Sequence, residues 1–162
     1  MVLYQGKYRV SNPNKYKGDV DNIIYRSLWE AKCFGWCDKN PNVKSWSSEE
    51  TVIPYYYEID KKFHKYFIDL KIKMKDGKTI LVEIKPKKET QPPKPGKQGI
   101  KGRRYINESL TYVKNMNKWK AADNFAKDRG WQFQVWTEDT LEEMGIMQKW
   151  KKMKKLKPLK RL

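Results

Sequence analysis

The sequence has few of the residues from which disulfide-rich and zinc-binding folds are built. It contains two cysteines, Cys33 and Cys37, and a single histidine among 162 residues. Cysteines four positions apart lie on consecutive turns of a helix, where they are poorly placed for a disulfide, so a secreted disulfide scaffold is excluded. A zinc site made from histidine and cysteine would need unusual further ligands. We therefore expect an intracellular protein with reduced thiols.

Long apolar runs and acidic residues are also scarce. No stretch approaches the ~20 apolar residues that a membrane-spanning helix requires, and residues 1–10 lack the apolar core of a secretion signal. Nineteen Asp plus Glu stand against 36 Lys plus Arg, which gives a net charge of +17. This charge favours a polyanionic partner, and nucleic acid comes first because neutralised phosphates release their counterions.

Aromatic residues, by contrast, are plentiful, with seven Trp and ten Tyr. They indicate a packed core rather than a disordered basic chain. The length suits one domain. We expect a polar N-terminal arm over residues 1–22, a single domain over residues 23–145 and a basic tail over residues 146–162 that becomes ordered only when bound.

Apolar periodicity and stop signals predict an α/β fold with a mixed sheet flanked by helices. The expected elements, in chain order, are helix Ser27–Lys39, strands Val43–Trp46 and Thr51–Tyr57, hairpin strands Phe63–Met74 and Lys78–Lys85, helix Arg103–Arg129, strand Trp131–Trp136 and helix Glu138–Met144. A Pro- and Lys-rich loop over residues 87–102 separates the hairpin from the long helix.

The apolar pattern of the hairpin selects its register. A two-residue Asp-Gly loop would place Leu70 opposite a charged residue, whereas a three-residue loop with Gly77 left-handed places Leu70 opposite Val82. The second register also predicts that Ile68 faces Ile84.

The same register has a chemical consequence, since it sets Asp69 opposite Glu83 on an otherwise polar face. Carboxylates at cross-strand positions repel one another, unless a divalent cation between them turns repulsion into chelation. Lys85 projects from the same face as Glu83. Two carboxylates and a lysine in this spacing suit phosphodiester hydrolysis, in which a metal binds the scissile phosphate and acidifies water.

These residues resemble the PD-(D/E)xK nuclease superfamily, although Ile68 stands where that signature has proline. The resemblance implies a restriction-endonuclease-like core, Mg²⁺ with Mn²⁺ as a substitute, and a metal site formed by Asp69, Glu83 and the backbone of Ile84. It also implies that Glu30 on the preceding helix lines the site. Glu30 has a second explanation, because Ser27 and Glu30 have the spacing of a helix capping box.

Longer runs resemble the head-completion nucleases of large contractile-tailed phages of the T-even type. The runs are residues 22–30, 46–50, 81–86, 91–95 and 129–138. The N-terminal domain of Tn7-type transposon end-cutting nucleases is similar in the same core, though it often has Gln where this chain has Glu83. The resemblance implies a late virion protein, found in the virion and the host cytoplasm, that acts on packaged double-stranded DNA at the portal vertex before head and tail join.

Basic residues outside the site are expected to contact DNA phosphates without reading sequence. They are Lys87, Lys88, Lys94, Lys97, Lys101, Arg103, Arg104, Lys114, Lys118, Lys151, Lys152, Lys154 and Lys155. For the two lysines of the long helix, Lys114 and Lys118, a solvated helix face is an equal alternative. A non-catalytic connector that grips DNA or portal with a nuclease-like fold is the alternative to a nuclease.

Overall fold

The computed structural model describes residues 3–99 and 101–149. Within them the elements follow the predicted order with two differences: an additional N-terminal strand pair, and two strands where one was predicted over Phe63–Met74. The strands are β1 (Leu3–Lys7), β2 (Ile24–Ser27), β3 (Val43–Ser47), β4 (Val52–Tyr57), β5 (Lys62–Phe67), β6 (Leu70–Met74), β7 (Thr79–Ile84) and β8 (Gln132–Trp136). The helices are α1 (Leu28–Lys39), α2 (Arg103–Asp128) and α3 (Glu138–Glu143). The predicted contacts Lys151, Lys152, Lys154 and Lys155 lie outside the described residues.

A mixed four-stranded sheet in the order β3-β6-β7-β8 forms the centre of the fold. β7 and β8 run parallel, joined by α2, while the other neighbours are antiparallel. The α/β class with a mixed sheet is confirmed. One core cluster packs residues of α1 and α3 against the sheet, and a second packs α2 against β7 and against the separate β4–β5 hairpin.

The start of α1 is fixed by Ser27, as the capping spacing predicts. The hydroxyl of Ser27 accepts a 3.2 Å hydrogen bond from the backbone N–H of Glu30. Asn40 ends the helix, with its N–H donating to the carbonyl of Trp36. A correct N-cap contributes about 1 kcal/mol to helix stability.

The predicted register of the β6–β7 hairpin is confirmed. Leu70 pairs with Val82 and Ile72 pairs with Ile80. The turn has the three-residue form, because the N–H of Met74 donates to the carbonyl of Lys78 at 2.8 Å and Gly77 has a φ of 93°. Glycine tolerates that left-handed conformation without steric cost.

The long strand predicted over Phe63–Met74 is wrong, because it breaks at Ile68 and Asp69 and its two parts enter different sheets. The backbone of Ile68 pairs with the turn before β4, donating to Thr51 at 3.2 Å and accepting from Glu49 at 3.1 Å. Ile68 therefore packs in the cluster around α2 and does not face Ile84, which belongs to the other cluster. The β6–β7 ladder ends at the pair Leu70–Val82, immediately next to the position of Asp69.

The N-terminal arm is integrated into the domain core. β1 pairs with β2, and Tyr16 is buried against Trp46 with ring centroids 4.7 Å apart. Asp38, fully buried at the end of α1, accepts hydrogen bonds from the hydroxyl of Tyr8 and the backbone N–H groups of residues 11 and 12. Among the helices of the described residues, none is both long and apolar enough to cross a membrane.

Candidate active site

Asp69 occupies the point where the chain leaves one sheet for the other. Its Oδ2 accepts a 2.8 Å hydrogen bond from the backbone N–H of Ile84. In a continuous antiparallel ladder that N–H would donate to the carbonyl of Ile68. The break also deprives the Ile84 carbonyl of its expected partner, because the N–H of Ile68 donates to Thr51 instead. Asp69 and the Ile84 carbonyl therefore meet at the ladder end.

Glu83 lies on the face of β7 that is covered by α2 and the β4–β5 hairpin. It is only 6% exposed, and its Oε2 accepts a 2.5 Å hydrogen bond from the hydroxyl of Tyr66. The expectation of an otherwise polar face is wrong, since Leu81 on that face is fully buried in the α2 cluster. Burial and the adjacent Glu83 raise the pKa of the Tyr66 hydroxyl, so it remains a proton donor.

Asp69 and Glu83 lie close enough for their charges to interact, although the paired part of the ladder stops at Leu70 and Val82. Burial, followed by the charge of Glu83, raises the pKa of Asp69 well above its usual range. Lys85 projects beside them and brings its Nζ to 3.7 Å from Oε1 of Glu83. Its backbone N–H donates to the carbonyl of Trp136 in β8, which anchors the end of β7. A basic group thus faces two crowded carboxylates.

Glu30 does not close the capping box that its spacing from Ser27 predicts, because its carboxylate bonds the residue before Ser27. Its Oε2 bends back to accept a 2.8 Å hydrogen bond from the N–H of Arg26, one residue before the capping position. It nonetheless lies close enough to the site to raise the pKa of Asp69. Burial is the main cause that raises the pKa of Glu30 itself, and the charges of Glu49 and Glu83 add to it. The carboxylate of Glu30 is thus held near Asp69 by the backbone of Arg26.

Arg26 and Glu49 form an ion pair at the edge of the site that the sequence did not reveal. Nε and Nη2 of Arg26 donate to the two carboxylate oxygens of Glu49 at 3.0 and 3.1 Å. Glu49 has a φ of 56°, a left-handed conformation that costs a residue with a Cβ about 1–3 kcal/mol. The two residues are 23 positions apart, and no spacing rule joins Glu49 to Arg26.

Lys118 approaches the site from α2. Its Nζ lies 5.3 Å from the ring centroid of Tyr66, the residue that holds Glu83. Burial lowers the pKa of Lys118, while the charge of Glu83 opposes that effect. One turn earlier, the Nζ of Lys114 lies 4.9 Å from the ring of Tyr57. Both lysines therefore face the hairpin, and Lys118 also lies near Glu83.

The predicted phosphate-binding residues of the loop are distributed unevenly. Lys88, Lys94 and Arg104 line a cavity of about 710 Å³ between the Pro-rich loop and the first half of α2. Lys97, Lys101 and Arg103 are exposed. Lys87 differs, because its Nζ forms a 2.8 Å ion pair with Asp139 of α3 and so ties the loop to the domain.

Trp119 and His64 both pack against neighbouring residues of the fold. Trp119, although lysines flank it in the sequence, is 9% exposed and belongs to the α2 core. His64 stacks on Tyr55 and pairs with Asp60 at 2.6 Å.

Within residues 3–99 and 101–149, no three acidic, histidine or cysteine side chains converge closely enough to hold a metal ion by themselves.

Residues 40–138, more than half of the chain, match the family described as TnsA-like endonuclease N terminal, and the chain belongs to this family. The matched segment contains Asp69, Glu83 and Lys85 and begins after Glu30. The chain is also 45% identical over 147 residues to the head completion nuclease of Enterobacteria phage T4, an alignment that covers 90% of this chain and 98% of that relative. The resemblances found in the sequence runs are confirmed.

Proposed function

We propose that the protein is a metal-dependent DNA nuclease of the PD-(D/E)xK type that hydrolyses phosphodiester bonds with little sequence specificity. The observation that carries this proposal is the end of the β6–β7 ladder, where Asp69, Glu83 and Lys85 meet beside a backbone carbonyl. A purely structural hairpin gains nothing from placing a buried glutamate beside a second carboxylate. The endonuclease family to which the chain belongs supports the same reaction class.

The donor groups at the ladder end fit a magnesium ion. Mg²⁺ prefers oxygen ligands and keeps several waters, so it needs only one or two carboxylates from the protein. Asp69, Glu83 and the carbonyl of Ile84 would hold it, with Mn²⁺ as a substitute, and Glu30 would contribute through water. The bound metal would neutralise charge on the scissile phosphate and acidify the attacking water.

The remaining groups act through their own charges and contacts. Tyr66 keeps one oxygen of Glu83 fixed, so that the other oxygen faces Lys85 at 3.7 Å. The ammonium of Lys85 would stabilise the charge that develops on the phosphate in the transition state. Lys118 would attract a phosphate next to the cleaved one. The groove that Lys88, Lys94 and Arg104 line would hold the DNA backbone, and phosphate contacts of this kind carry no sequence information.

The relative named head completion nuclease supports a biological setting. We place the protein in phage head completion and head-tail joining, in the virion and the host cytoplasm. Its substrate there is packaged double-stranded DNA, and its protein partners are head proteins at the portal vertex. The similarity extends over nearly the whole of that relative, so the full chain, rather than an isolated domain, would perform this role.

Plasmid cleavage tests the reaction directly. Purified protein should convert supercoiled plasmid to nicked and linear forms in Mg²⁺ or Mn²⁺ and should fail to do so in EDTA. Asp69→Asn should remain inactive with metal present, because it lacks the charge that the cation needs. Equal cleavage by the wild type in EDTA, or by Asp69→Asn in Mg²⁺, would overturn the proposal in favour of a contaminating activity or another site.

A further inference from the structure

The outward face of the β4–β5 hairpin is apolar and exposed. Alternate residues of this hairpin point inward, where Ile53, Tyr55, Tyr57 and Tyr66 pack against α2. The six residues between them point outward, and five are apolar. They are Val52, Pro54, Tyr56, Phe63, Lys65 and Phe67.

Such a face contradicts the ordinary pattern of an antiparallel sheet, in which the side away from the core is polar. Phe63 is 75% exposed, Phe67 is 51% exposed and Tyr56 is 45% exposed. Cross-strand pairing makes the surface continuous, because Val52 lies opposite Phe67 and Tyr56 lies opposite Phe63. Contiguous exposed apolar surface of this kind marks a binding site.

The geometry of the face suits bases better than it suits a duplex. Phe63 and Phe67 are four residues apart on one strand, roughly 13 Å at about 3.3 Å per residue. The exposed Lys65 lies between them. Tyr56 packs edge-on against Phe63 with ring centroids 5.4 Å apart. Bases inside a duplex stack on one another about 3.4 Å apart and leave no face for a protein ring, so only unpaired bases can lie on these rings.

The net charge of the chain distinguishes between two possible partners for this face, a second copy of the chain and a DNA strand. A second copy of this chain would bring another +17 to the interface, and that repulsion opposes a self-association based on one hairpin face. An unpaired DNA strand is attracted by the same charge, and Lys65 is placed to meet a phosphate between two stacked bases. Aromatic rings with interleaved lysines are the usual means of holding single strands without reading sequence.

The position of the face connects it to the site. Phe67 is two residues before Asp69, and the turn that holds Ile68 between them also carries Glu49 at the edge of the site. We propose that the outer face of the β4–β5 hairpin is a stacking platform for the unpaired strand of the DNA substrate. This rests on the proposed nuclease function and assigns its substrate class: DNA with unpaired nucleotides beside the cut, such as frayed ends or flaps.

Binding measured without cleavage tests the proposal. The full chain in EDTA is titrated against a fluorescein-labelled oligonucleotide of about 15 nucleotides, close to the largest site of one single-strand binding fold, and against the matching duplex. Phe63→Ala and Phe67→Ala should each weaken single-strand binding about five-fold or more, since a stacked base contributes about 1–3 kcal/mol. Duplex binding should change less than two-fold. Phe63→Tyr should retain wild-type affinity.

The control variant is Ile106→Ala, which removes an apolar side chain of similar exposure, 51%, from α2. It should leave both affinities unchanged. Equal losses on both probes, or no loss on the single strand, would overturn the proposal. A third contradicting result would come from sedimentation: the wild type is a dimer, Phe63→Ala is a monomer, and single-strand binding is the same in both. That result would assign the face to a second copy of the chain. Because binding is measured in EDTA, where no cleavage is expected, the result does not depend on whether the protein is a nuclease. Loss of the binding difference would likewise leave the plasmid cleavage test unaffected.

Discussion

The hydroxyl of Tyr66 donates to Oε2 of Glu83 across the boundary between two sheets. Tyr66 belongs to β5 in the hairpin, and Glu83 belongs to β7 in the central sheet. The position of the Glu83 carboxylate therefore depends on the packing of the hairpin against the sheet. This contact links the architecture to the proposed chemistry, and its removal has measurable consequences.

Tyr66→Phe should lower both stability and cleavage. The substitution leaves a buried carboxylate oxygen without its donor, which costs about 1–3 kcal/mol in the free energy of unfolding. Cleavage should fall further than the loss of folded protein explains, because Glu83 loses its fixed orientation. The matched control is Tyr55→Phe on the same inner face, whose hydroxyl has no hydrogen-bond partner among the described residues. Denaturant titration and plasmid cleavage measure the two effects, and identical behaviour of the two variants would contradict the role assigned to Tyr66.

In the absence of divalent metal, stability should decrease as pH rises above the ordinary carboxyl range. The folded state raises the pKa of Asp69 and of Glu30, so it retains protons that the unfolded chain releases near pH 4. The stabilisation from these protons is complete below the unfolded pKa and is lost as pH passes through the raised folded pKa. Melting temperature measured against pH in EDTA should show this decline. Asp69→Asn should flatten it, and a curve with the wild-type slope would show that Asp69 is not the group responsible.

Magnesium should reverse that loss of stability. An ion that binds only the folded protein raises the melting temperature by mass action, by about 2.7 kcal/mol of stabilisation at one hundred times its dissociation constant. Asp69→Asn should abolish the rise. Asp123→Asn serves as control, since it removes only a surface ion pair with Lys127 on α2. Equal responses to Mg²⁺ in wild type and Asp69→Asn would place the metal elsewhere.

The sequence predicted those parts of the site that depend on local pattern. The apolar alternation of residues 70–82 has one satisfactory register, so the Leu70–Val82 pairing and the proximity of Asp69 to Glu83 could be inferred. The break at Ile68 could not, because apolar and aromatic residues continue through it without glycine or proline. Only the competing backbone partners of Ile68, which lie in another segment of the chain, decide that the strand changes sheet.

Long-range polar contacts were equally inaccessible. One such contact joins Arg26 to Glu49, 23 positions apart, and another joins Tyr66 to Glu83, 17 positions apart. No periodicity in the sequence specifies such pairs. The burial of Trp119 is not evident from its neighbours either, because lysines flank it in the sequence whereas its own position on the helix faces the core. The charge of neighbouring residues along the chain does not predict whether a side chain is buried, because burial depends on which face of the helix the side chain occupies.

Asp38 provides a test of the fold that is independent of the site. Its buried carboxylate accepts three hydrogen bonds from the N-terminal arm, and a sequence of polar turn residues gave no sign of them. Asp38→Ala should destabilise the protein by about 1.5–3 kcal/mol, because hydrogen bonds to a fully buried, charged acceptor are lost. Asp19→Ala, an exposed acid of the same arm, should cost far less. Urea denaturation of both variants measures the difference, and comparable losses would show that the arm is not held by Asp38.

The most direct measurement of the central claim compares cleavage and DNA binding in Lys85→Ala, with Lys44→Ala as the control for loss of an exposed positive charge. Removing one group that stabilises a transition state costs about 3 kcal/mol, so turnover in Mg²⁺ should fall roughly a hundred-fold. Affinity for the same duplex should fall by one phosphate contact at most, because +17 of net charge already attracts the DNA. Intact cleavage by Lys85→Ala, with circular dichroism confirming the fold, would contradict the assignment of the active site.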